Sequence, residues 1–138
     1  MININNVNYS LFHDNKKILK SKISFLCPLI KIDENNIIFI RLTTKIPEKY
    51  EKNYVEINTK ELEINELDRI SYITFDKKHS DIHIVNISDI KKDYYGVVYN
   101  KIFEIKYIPL IFKNALKCKY ISPFYLKIIN EELKKVTN

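Results

Sequence analysis

The hydrophobic pattern of the chain begins with two apolar, β-rich runs, residues 22–32 and 36–45. The polar residues Asp33-Glu34-Asn35-Asn36 separate them. Apolar runs rich in β-branched residues and joined by turn-forming residues are typical of paired strands, so the sequence predicts an antiparallel hairpin. Pro28 has no backbone N–H, and we therefore expect it near an edge or a bulge of the first strand.

Four later segments also favour short strands, because apolar and polar residues alternate in them or β-forming residues dominate. They are Tyr54–Ile57, Ile70–Phe75, His79–Ile87 and Tyr94–Tyr99. Between the first two of these strands, Thr59 is placed to cap one or two helical turns over Thr59–Leu67.

The end of the chain favours helices. Ser122 is a good N-cap residue and Pro123 suits the first helical position, while Lys134 and Lys135 suit the C-terminal end of the helix dipole. One face of this helix is apolar and is expected to dock on the sheet; it carries Tyr125, Ile128, Ile129, Leu133 and Val136.

The apolar stretch Ile102–Leu116 is ambiguous, because Pro109 can either begin a helix or interrupt a strand. We favour a helix over residues 109–117. Five or six short strands and a C-terminal helix predict an α+β fold, a small and strongly bent antiparallel β-barrel.

The composition is that of one globular domain over residues 1–138, of which 46% are apolar, with loose ends at residues 1–8 and 137–138. No apolar run reaches the ~20 residues of a membrane span, and the N-terminus lacks the features of a signal peptide. The single glycine, Gly96, excludes the Rossmann, Walker and kinase phosphate loops, which need several glycines. Two cysteines, Cys27 and Cys118, are expected to be reduced thiols of a cytoplasmic protein.

The net charge of +6 indicates a polyanionic partner, since 23 Lys and Arg residues outnumber 17 Asp and Glu residues and ten tyrosines are available to stack on bases. The lysines are spread along the chain, however, as they are on an ordinary solvated surface.

One loop gathers lysines and aromatic rings, a combination that suits contact with both the phosphates and the bases of a nucleic acid. Its candidate RNA-binding residues are Lys45, Lys49, Tyr50, Lys52 and Tyr54. Glu48 and Glu51 offset two of its three lysine charges, so a plain solvated loop is the alternative.

A second candidate cluster lies on the strand predicted over His79–Ile87. Alternation places His79, Asp81 and His83 on the face opposite Ile82 and Ile84. Two imidazoles beside a carboxylate can serve as acid and base in RNA transesterification or bind a divalent metal. A solvated strand face gives the same pattern.

Four stretches of the chain resemble segments of one protein family. Cys27-Pro28-Leu29-Ile30-Lys31-Ile32 is similar to its Arg-Pro-apolar strand, and Ile40-Arg41-Leu42-Thr43-Thr44-Lys45 to its apolar-Thr-Ser-Lys strand end. Residues 55–73 resemble its Ser-Tyr-Ile segment, and Ile121-Ser122-Pro123 its closing helix. The chain thus resembles, over roughly residues 23–136, the MazF/PemK toxin endoribonucleases of toxin–antitoxin systems.

The resemblance implies an SH3-like barrel, commonly a homodimer, that binds single-stranded RNA and an acidic antitoxin segment in the same groove. It implies cleavage with neither metal nor cofactor: the 2′-OH of the RNA attacks the adjacent phosphorus, aided by an Arg and a Ser/Thr at strand ends. Thr43 then matches the catalytic hydroxyl and Thr44 the small residue beside it.

One departure concerns the catalytic arginine, which is Cys27 in this chain; a thiol can neither bind phosphate in a fork nor hold positive charge. Arg41 lies two residues before Thr43 and hence on the same strand face, from which it could replace that charge. In the alternative interpretation, the threonines only end a strand and Arg41 pairs with a carboxylate.

The expected function is that of an RNA-binding, toxin-like protein: a sequence-selective endoribonuclease, or one that retains only the binding surface. Two alternatives remain at this point. One is a phage or plasmid protein that inhibits a host complex without catalysis, and the other is a nucleic-acid-binding barrel with no chemistry.

Overall fold

The computed structural model describes residues 10–16, 18–20, 23–58, 70–76, 81–86, 88, 97–102 and 107–137. It divides into two compact units. Unit 1 takes Met1–Arg41 and Ile82–Phe103, and unit 2 takes Leu42–Asp81 and Glu104–Asn138. The predicted α+β class with an antiparallel sheet and a C-terminal helix is confirmed, whereas the closed SH3-like barrel and the single domain stay predictions.

Within the described residues the chain forms seven strands and two helices, named here in chain order. They are β1 (Ser10–Asp14), β2 (Ser24–Lys31), β3 (Asn36–Leu42), β4 (Tyr54–Ile57), β5 (Ser71–Thr74), β6 (Ile82–Asn86), β7 (Val97–Ile102), α1 (Tyr107–Ala115) and α2 (Pro123–Thr137). Unit 1 holds a curled antiparallel sheet in the order β6-β3-β2-β1-β7.

The predicted hairpin is confirmed as β2 and β3, joined by an Asx turn. The Asp33 carboxylate accepts hydrogen bonds from the backbone N–H groups of Asn35 at 2.7 Å and Asn36 at 2.9 Å. The N–H of Asn35 contributes most to lowering the pKa of Asp33 below its ordinary value. Because the ionised carboxylate is the form that holds the turn, this contribution to stability is present above the ordinary Asp pKa and is lost as the pH falls.

For Pro28 the edge alternative is wrong, since β2 is an interior strand with neighbours on both sides, whereas the bulge alternative stays a prediction. The register with β1 runs from Ser24, opposite Asp14, to Leu26, opposite Phe12. Pro28 lies beyond that paired stretch, so its missing N–H removes none of these ladder hydrogen bonds.

The core of unit 1 contains a cluster of side chains from the loop after β1 and from strands β2 and β3. It comprises Ile18, Leu19, Leu26, Ile37 and Phe39, with Val85 packed against it. The loop is held by the buried carboxylate of Asp14, which accepts hydrogen bonds from the N–H groups of Ile18 at 3.0 Å and Leu19 at 2.9 Å. Lys16 turns the chain there with a left-handed φ of 61°.

Unit 2 contains the antiparallel pair β4 and β5, in which Tyr54 lies opposite Thr74 and Glu56 opposite Tyr72. Thr43 extends this pair by an isolated bridge to Tyr72, with N–H to C=O distances of 3.0 and 2.7 Å. Strand β4 alternates exposed and buried residues, as a sheet with one covered face requires.

Helix α1 covers β4 in unit 2. Its buried residues follow the helical repeat and form one stripe: Ile108, Ile111, Phe112 and Ala115. Pro109 lies in the first turn, where its missing N–H has no partner within the helix. The helix predicted over residues 109–117 is confirmed, and it begins and ends two residues earlier than predicted.

Helix α2 begins at Pro123, as predicted, with the carbonyl of Ser122 accepting hydrogen bonds from the N–H groups of Tyr125 and Leu126 at 3.1 Å. Its docking differs from the expectation, because its main contact is with α1 and not with the sheet. The apolar face of α2 is only partly covered, and of its predicted apolar residues Ile129 alone is fully buried.

Two further predicted strands are present. The segment predicted over His79–Ile87 contains β6, and the one predicted over Tyr94–Tyr99 overlaps β7, which pairs with β1; residues 94–96 lie outside the described residues.

The predictions for residues 1–8, for the helical turns over Thr59–Leu67 and for His79 lie outside the described residues. Neither of the helices in the described part has the length and apolar character that a membrane crossing requires.

Candidate functional site

Unit 2 contains a cleft of about 300 Å³ that combines basic and aromatic side chains. Its lining residues are Tyr50, Phe75, Asp76, Lys117, Lys119 and Tyr120. They come from the loop before β4, the end of β5 and the turn after α1. A cleft of this size falls at the lower end of the range for small-molecule sites and suits one nucleotide-sized group.

Asp76 fixes one wall of the cleft. Its Oδ2 atom accepts hydrogen bonds from the backbone N–H groups of Lys52 at 2.6 Å and Asn53 at 2.7 Å. The backbone carbonyl of Asn53 accepts a hydrogen bond from the N–H of Phe75 at 3.1 Å. Its side-chain amide donates one to the carbonyl of Asn114 at 2.9 Å. These bonds tie the loop, the end of β5 and helix α1 together, so the wall is preorganised.

The opposite wall is the turn that follows α1. The N–H groups of Lys117 and Cys118 donate to the carbonyls of Asn114 at 3.1 Å and Ala115 at 3.0 Å, which tightens the end of the helix. Cys118 is 3% exposed, whereas Lys117 and Lys119 on either side of it are exposed. The buried thiol therefore anchors the turn, and the two ammonium groups lie outside it.

The charge of the cleft is positive, since two lysines face one carboxylate. In the part of the chain that the structure describes, neither Lys117 nor Lys119 has a salt bridge, whereas Lys45 reaches Glu48 at 3.9 Å and Lys135 reaches Glu132 at 3.1 Å. The ammonium groups of the cleft are consequently available to an anionic ligand.

Two tyrosine rings are presented to solvent at the same cleft. Tyr50 is 66% exposed and Tyr120 is 56% exposed. Large aromatic side chains are usually covered to a much greater extent, and exposed rings beside lysines are the elements from which single-stranded nucleic-acid sites are built.

Thr43, the candidate catalytic hydroxyl, is half-buried at its bridge to Tyr72. Its Oγ1 atom accepts a hydrogen bond from the N–H of Lys45 at 3.2 Å. This bond orients the hydroxyl and leaves its proton available for donation. Thr44, the adjacent candidate, is exposed.

Tyr72 places a third ring near Thr43. Its ring meets that of Tyr54 edge to face, with centroids 6.1 Å apart. Desolvation contributes most to raising the pKa of Tyr72 above its ordinary value, and the charge of Glu56 adds to it. Tyr72 is thus a neutral hydrogen-bond donor at physiological pH.

Cys27 lies in unit 1 with no exposed surface, and burial raises the pKa of its thiol well above the ordinary value. A thiol without exposed surface contacts no substrate. Arg41 is half-buried in β3 and belongs to unit 1, whereas Thr43 belongs to unit 2, so the hypothesis that the two act together stays a prediction.

Asp81, from the predicted histidine cluster, is buried and hydrogen-bonded within the protein. It is 1% exposed, and its Oδ2 atom accepts hydrogen bonds from the N–H and the hydroxyl of Thr74, both at 2.9 Å. His83 is half-buried in β6. The described residues contain no group of three potential metal ligands, and the role of the cluster stays a prediction.

The predicted RNA-binding loop is on the surface, because all five of its candidate residues are exposed. Of the five, Tyr50 lines the cleft. Sequence reasoning missed Asp76, Lys117, Lys119 and Tyr120. The run Lys117-Cys118-Lys119-Tyr120 contained a sequence signal for this wall. A cysteine, which is usually buried, stands there between two lysines and is followed by a tyrosine.

The burial of both cysteines gives a testable expectation. Cys27 and Cys118 are free and buried, so iodoacetamide at pH 8 should modify neither thiol in the folded protein and both in urea. Intact-mass spectrometry measures the number of adducts. Rapid modification of one thiol without denaturant would show that the corresponding segment is open in solution.

Comparison of the chain with models of known protein families, with curated proteins and with solved structures found no match.

Proposed function

We propose that unit 2 binds single-stranded RNA through this basic and aromatic cleft. The observation that carries the proposal is a nucleotide-sized cavity lined by two exposed tyrosine rings and by two lysines that form no salt bridge with any residue that the structure describes. The lysines bind phosphates, and Tyr50 or Tyr120 stacks on a base.

Stacking explains why the proposed partner is single-stranded. A base offers its face to a protein ring only where it is not already stacked inside a duplex. Each base stacked on an aromatic ring contributes about 1–3 kcal/mol, and each phosphate contact adds a salt-dependent contribution. Binding is therefore expected to weaken steeply with added salt.

We further propose that the bound strand reaches Thr43. Tyr72, which bridges to Thr43, and Asp76, which lines the cleft, are four residues apart, a stretch that spans at most about 14 Å. A short RNA segment seated on Tyr50 or Tyr120 can thus extend along β5 to the oriented hydroxyl of Thr43.

The chemistry proposed at Thr43 is that of the MazF/PemK-type nucleases which the chain resembles. The 2′-OH of the RNA loses its proton and attacks the adjacent phosphorus, the bond from phosphorus to the 5′ oxygen breaks, and that oxygen takes up a proton. The products are a 2′,3′-cyclic phosphate and a 5′-hydroxyl. The hydroxyl of Thr43 donates a hydrogen bond to the phosphate as negative charge develops on it.

In this proposal the protein is a toxin whose acidic antitoxin segment occupies the same cleft. The two lysines favour carboxylates as they favour phosphates, so RNA and the acidic segment compete for one surface. The homodimer and the cytoplasmic location belong to the same proposal.

The binding proposal is tested with a fluorescein-labelled, single-stranded RNA decamer and fluorescence anisotropy, without divalent ions. The double variant Tyr50→Ala/Tyr120→Ala should bind at least tenfold more weakly, since one or two stacking contacts are lost. Phe124→Ala is the matched control, because Phe124 is 65% exposed in the same unit and does not line the cleft. Equal losses in both variants would contradict the proposal.

The cleavage proposal is tested by incubating the protein with RNA in EDTA and identifying the ends of the fragments. Wild-type protein should yield 2′,3′-cyclic phosphate ends, Thr43→Ala should abolish them, and Thr43→Ser should retain them because it keeps the hydroxyl. Salt-sensitive binding without products would favour a nucleic-acid-binding module without catalysis. Neither binding nor cleavage would favour a protein-binding inhibitor.

A further inference from the structure

The two oxygen atoms of the Asp76 carboxylate differ: one accepts hydrogen bonds, and the other has no partner among the residues that the structure describes. Its Oδ2 atom accepts two backbone hydrogen bonds, from Lys52 and Asn53. Its Oδ1 atom accepts none from any residue that the structure describes, and Asp76 forms no salt bridge with Lys117 or Lys119 there, although all three line the same cleft. A negatively charged acceptor is therefore fixed in the wall of a cavity that otherwise suits an anion.

We propose that Asp76 selects RNA bases that carry an exocyclic amino group. The inference rests on the proposed RNA binding and deepens it, since it names the class of base that the cleft accepts. The lysines and tyrosines tolerate any nucleotide, because phosphates and base faces are common to all of them. Among the described residues that line the cleft, Asp76 alone carries a charged acceptor, so we assign the discrimination between bases to it.

The chemistry of the bases decides the direction of the preference. Adenine, cytosine and guanine each present an NH₂ group, and a carboxylate is a good acceptor for such a donor. Uracil has no NH₂ group, and its single edge N–H is flanked by two carbonyl oxygens that repel a carboxylate. A base stacked on Tyr50 or Tyr120 with its edge towards Asp76 is bound more tightly when that edge carries an amine.

The position of Asp76 is rigid enough for this role. Two short backbone hydrogen bonds, at 2.6 and 2.7 Å, hold Oδ2 and thereby fix the plane of the carboxylate. An acceptor held in this way gives up little conformational freedom when a ligand binds.

The test compares the affinities of labelled octamers of adenosine, cytidine and uridine for the full chain in low salt. The wild-type protein should bind the adenosine and cytidine octamers about tenfold more tightly than the uridine octamer. Asp76→Asn keeps an acceptor oxygen for the N–H groups of Lys52 and Asn53 and turns an NH₂ donor towards the cleft. This variant should lose the preference or reverse it in favour of uridine, whose carbonyls accept from the new donor.

Asp33→Asn is the matched control, because it makes the same change of charge at an exposed turn in unit 1 and should keep the wild-type preference. Equal affinity of the wild-type protein for the three octamers would overturn the inference and leave the RNA-binding proposal standing. An Asp76→Asn variant that melts as the wild type does and keeps its preference would also overturn it. Failure of the wild type to bind any octamer would overturn both proposals.

Discussion

Reversing both lysine charges of the cleft, with Lys117→Glu and Lys119→Glu in one chain, is expected to weaken RNA binding at least a hundredfold at low salt. Each substitution removes a phosphate contact and replaces it with a carboxylate that repels the phosphate. In a plot of the logarithm of the binding constant against the logarithm of the salt concentration, the magnitude of the slope should be about 1.4 smaller for the double variant than for the wild type. Each phosphate contact with a single strand contributes about 0.7 to this slope. Fluorescence anisotropy between 25 and about 200 mM salt gives both quantities.

The control for this experiment is Lys127→Glu with Lys134→Glu. Both residues are exposed on α2, neither lines the cleft, and the change in net charge is the same. Long-range repulsion alone would weaken binding equally in the two double variants. Such equality would contradict the assignment of the phosphate contacts to Lys117 and Lys119.

Replacing Asp14 by alanine is expected to lower the free energy of unfolding by about 2–5 kcal/mol. The buried carboxylate accepts hydrogen bonds from the N–H groups of Ile18 and Leu19, and each buried donor left without an acceptor costs about 1–3 kcal/mol. The loss extends to packing, because the side chains of Ile18 and Leu19 belong to the unit 1 core cluster with Phe39. Urea unfolding followed by circular dichroism measures the change.

Two further variants separate the hydrogen bonds of Asp14 from its charge. Asp14→Asn keeps one acceptor oxygen and should lose less stability than Asp14→Ala. Asp33→Ala removes a carboxylate that caps an exposed turn and should have the smallest effect of the three. If Asp14→Ala were no more destabilising than Asp33→Ala, the loop after β1 would not depend on the buried carboxylate.

Local sequence signals predicted most of the elements. The turn at Asp33 was predictable because one short side chain satisfies two adjacent N–H groups, a property of the residue and its neighbours alone. Helix α1 was predictable because its apolar residues repeat at helical spacing, and α2 because Ser122 and Pro123 mark its start.

Tertiary placement was not predictable in the same way. The apolar face of α2 fits a sheet or another helix equally well. Its docking on α1 depends on the surface that α1 offers once it is folded, and the sequence of α2 alone does not contain that information. The interior position of β2 depends on the pairing of β1, whose residues give a weak strand signal, and so Pro28 was expected near an edge or a bulge.

The cleft was missed because no single segment contains it. Tyr50 lies before β4, Asp76 after β5 and Tyr120 after α1, and only the folded chain brings the three together. The predicted loop around Tyr50 therefore identified one wall of the cleft, whereas the lysines of the other wall were not among the predicted site residues.

Whether the cleft of unit 2 binds single-stranded RNA is measured residue by residue in a titration of the ¹⁵N-labelled protein with an RNA octamer, followed by two-dimensional NMR. The largest shifts are expected at the amides of Tyr50, Asp76 and residues 117–120, with smaller ones towards Thr43 and Tyr72. Shifts confined to unit 1, or an unchanged spectrum at saturating RNA and low salt, would contradict RNA binding by the cleft.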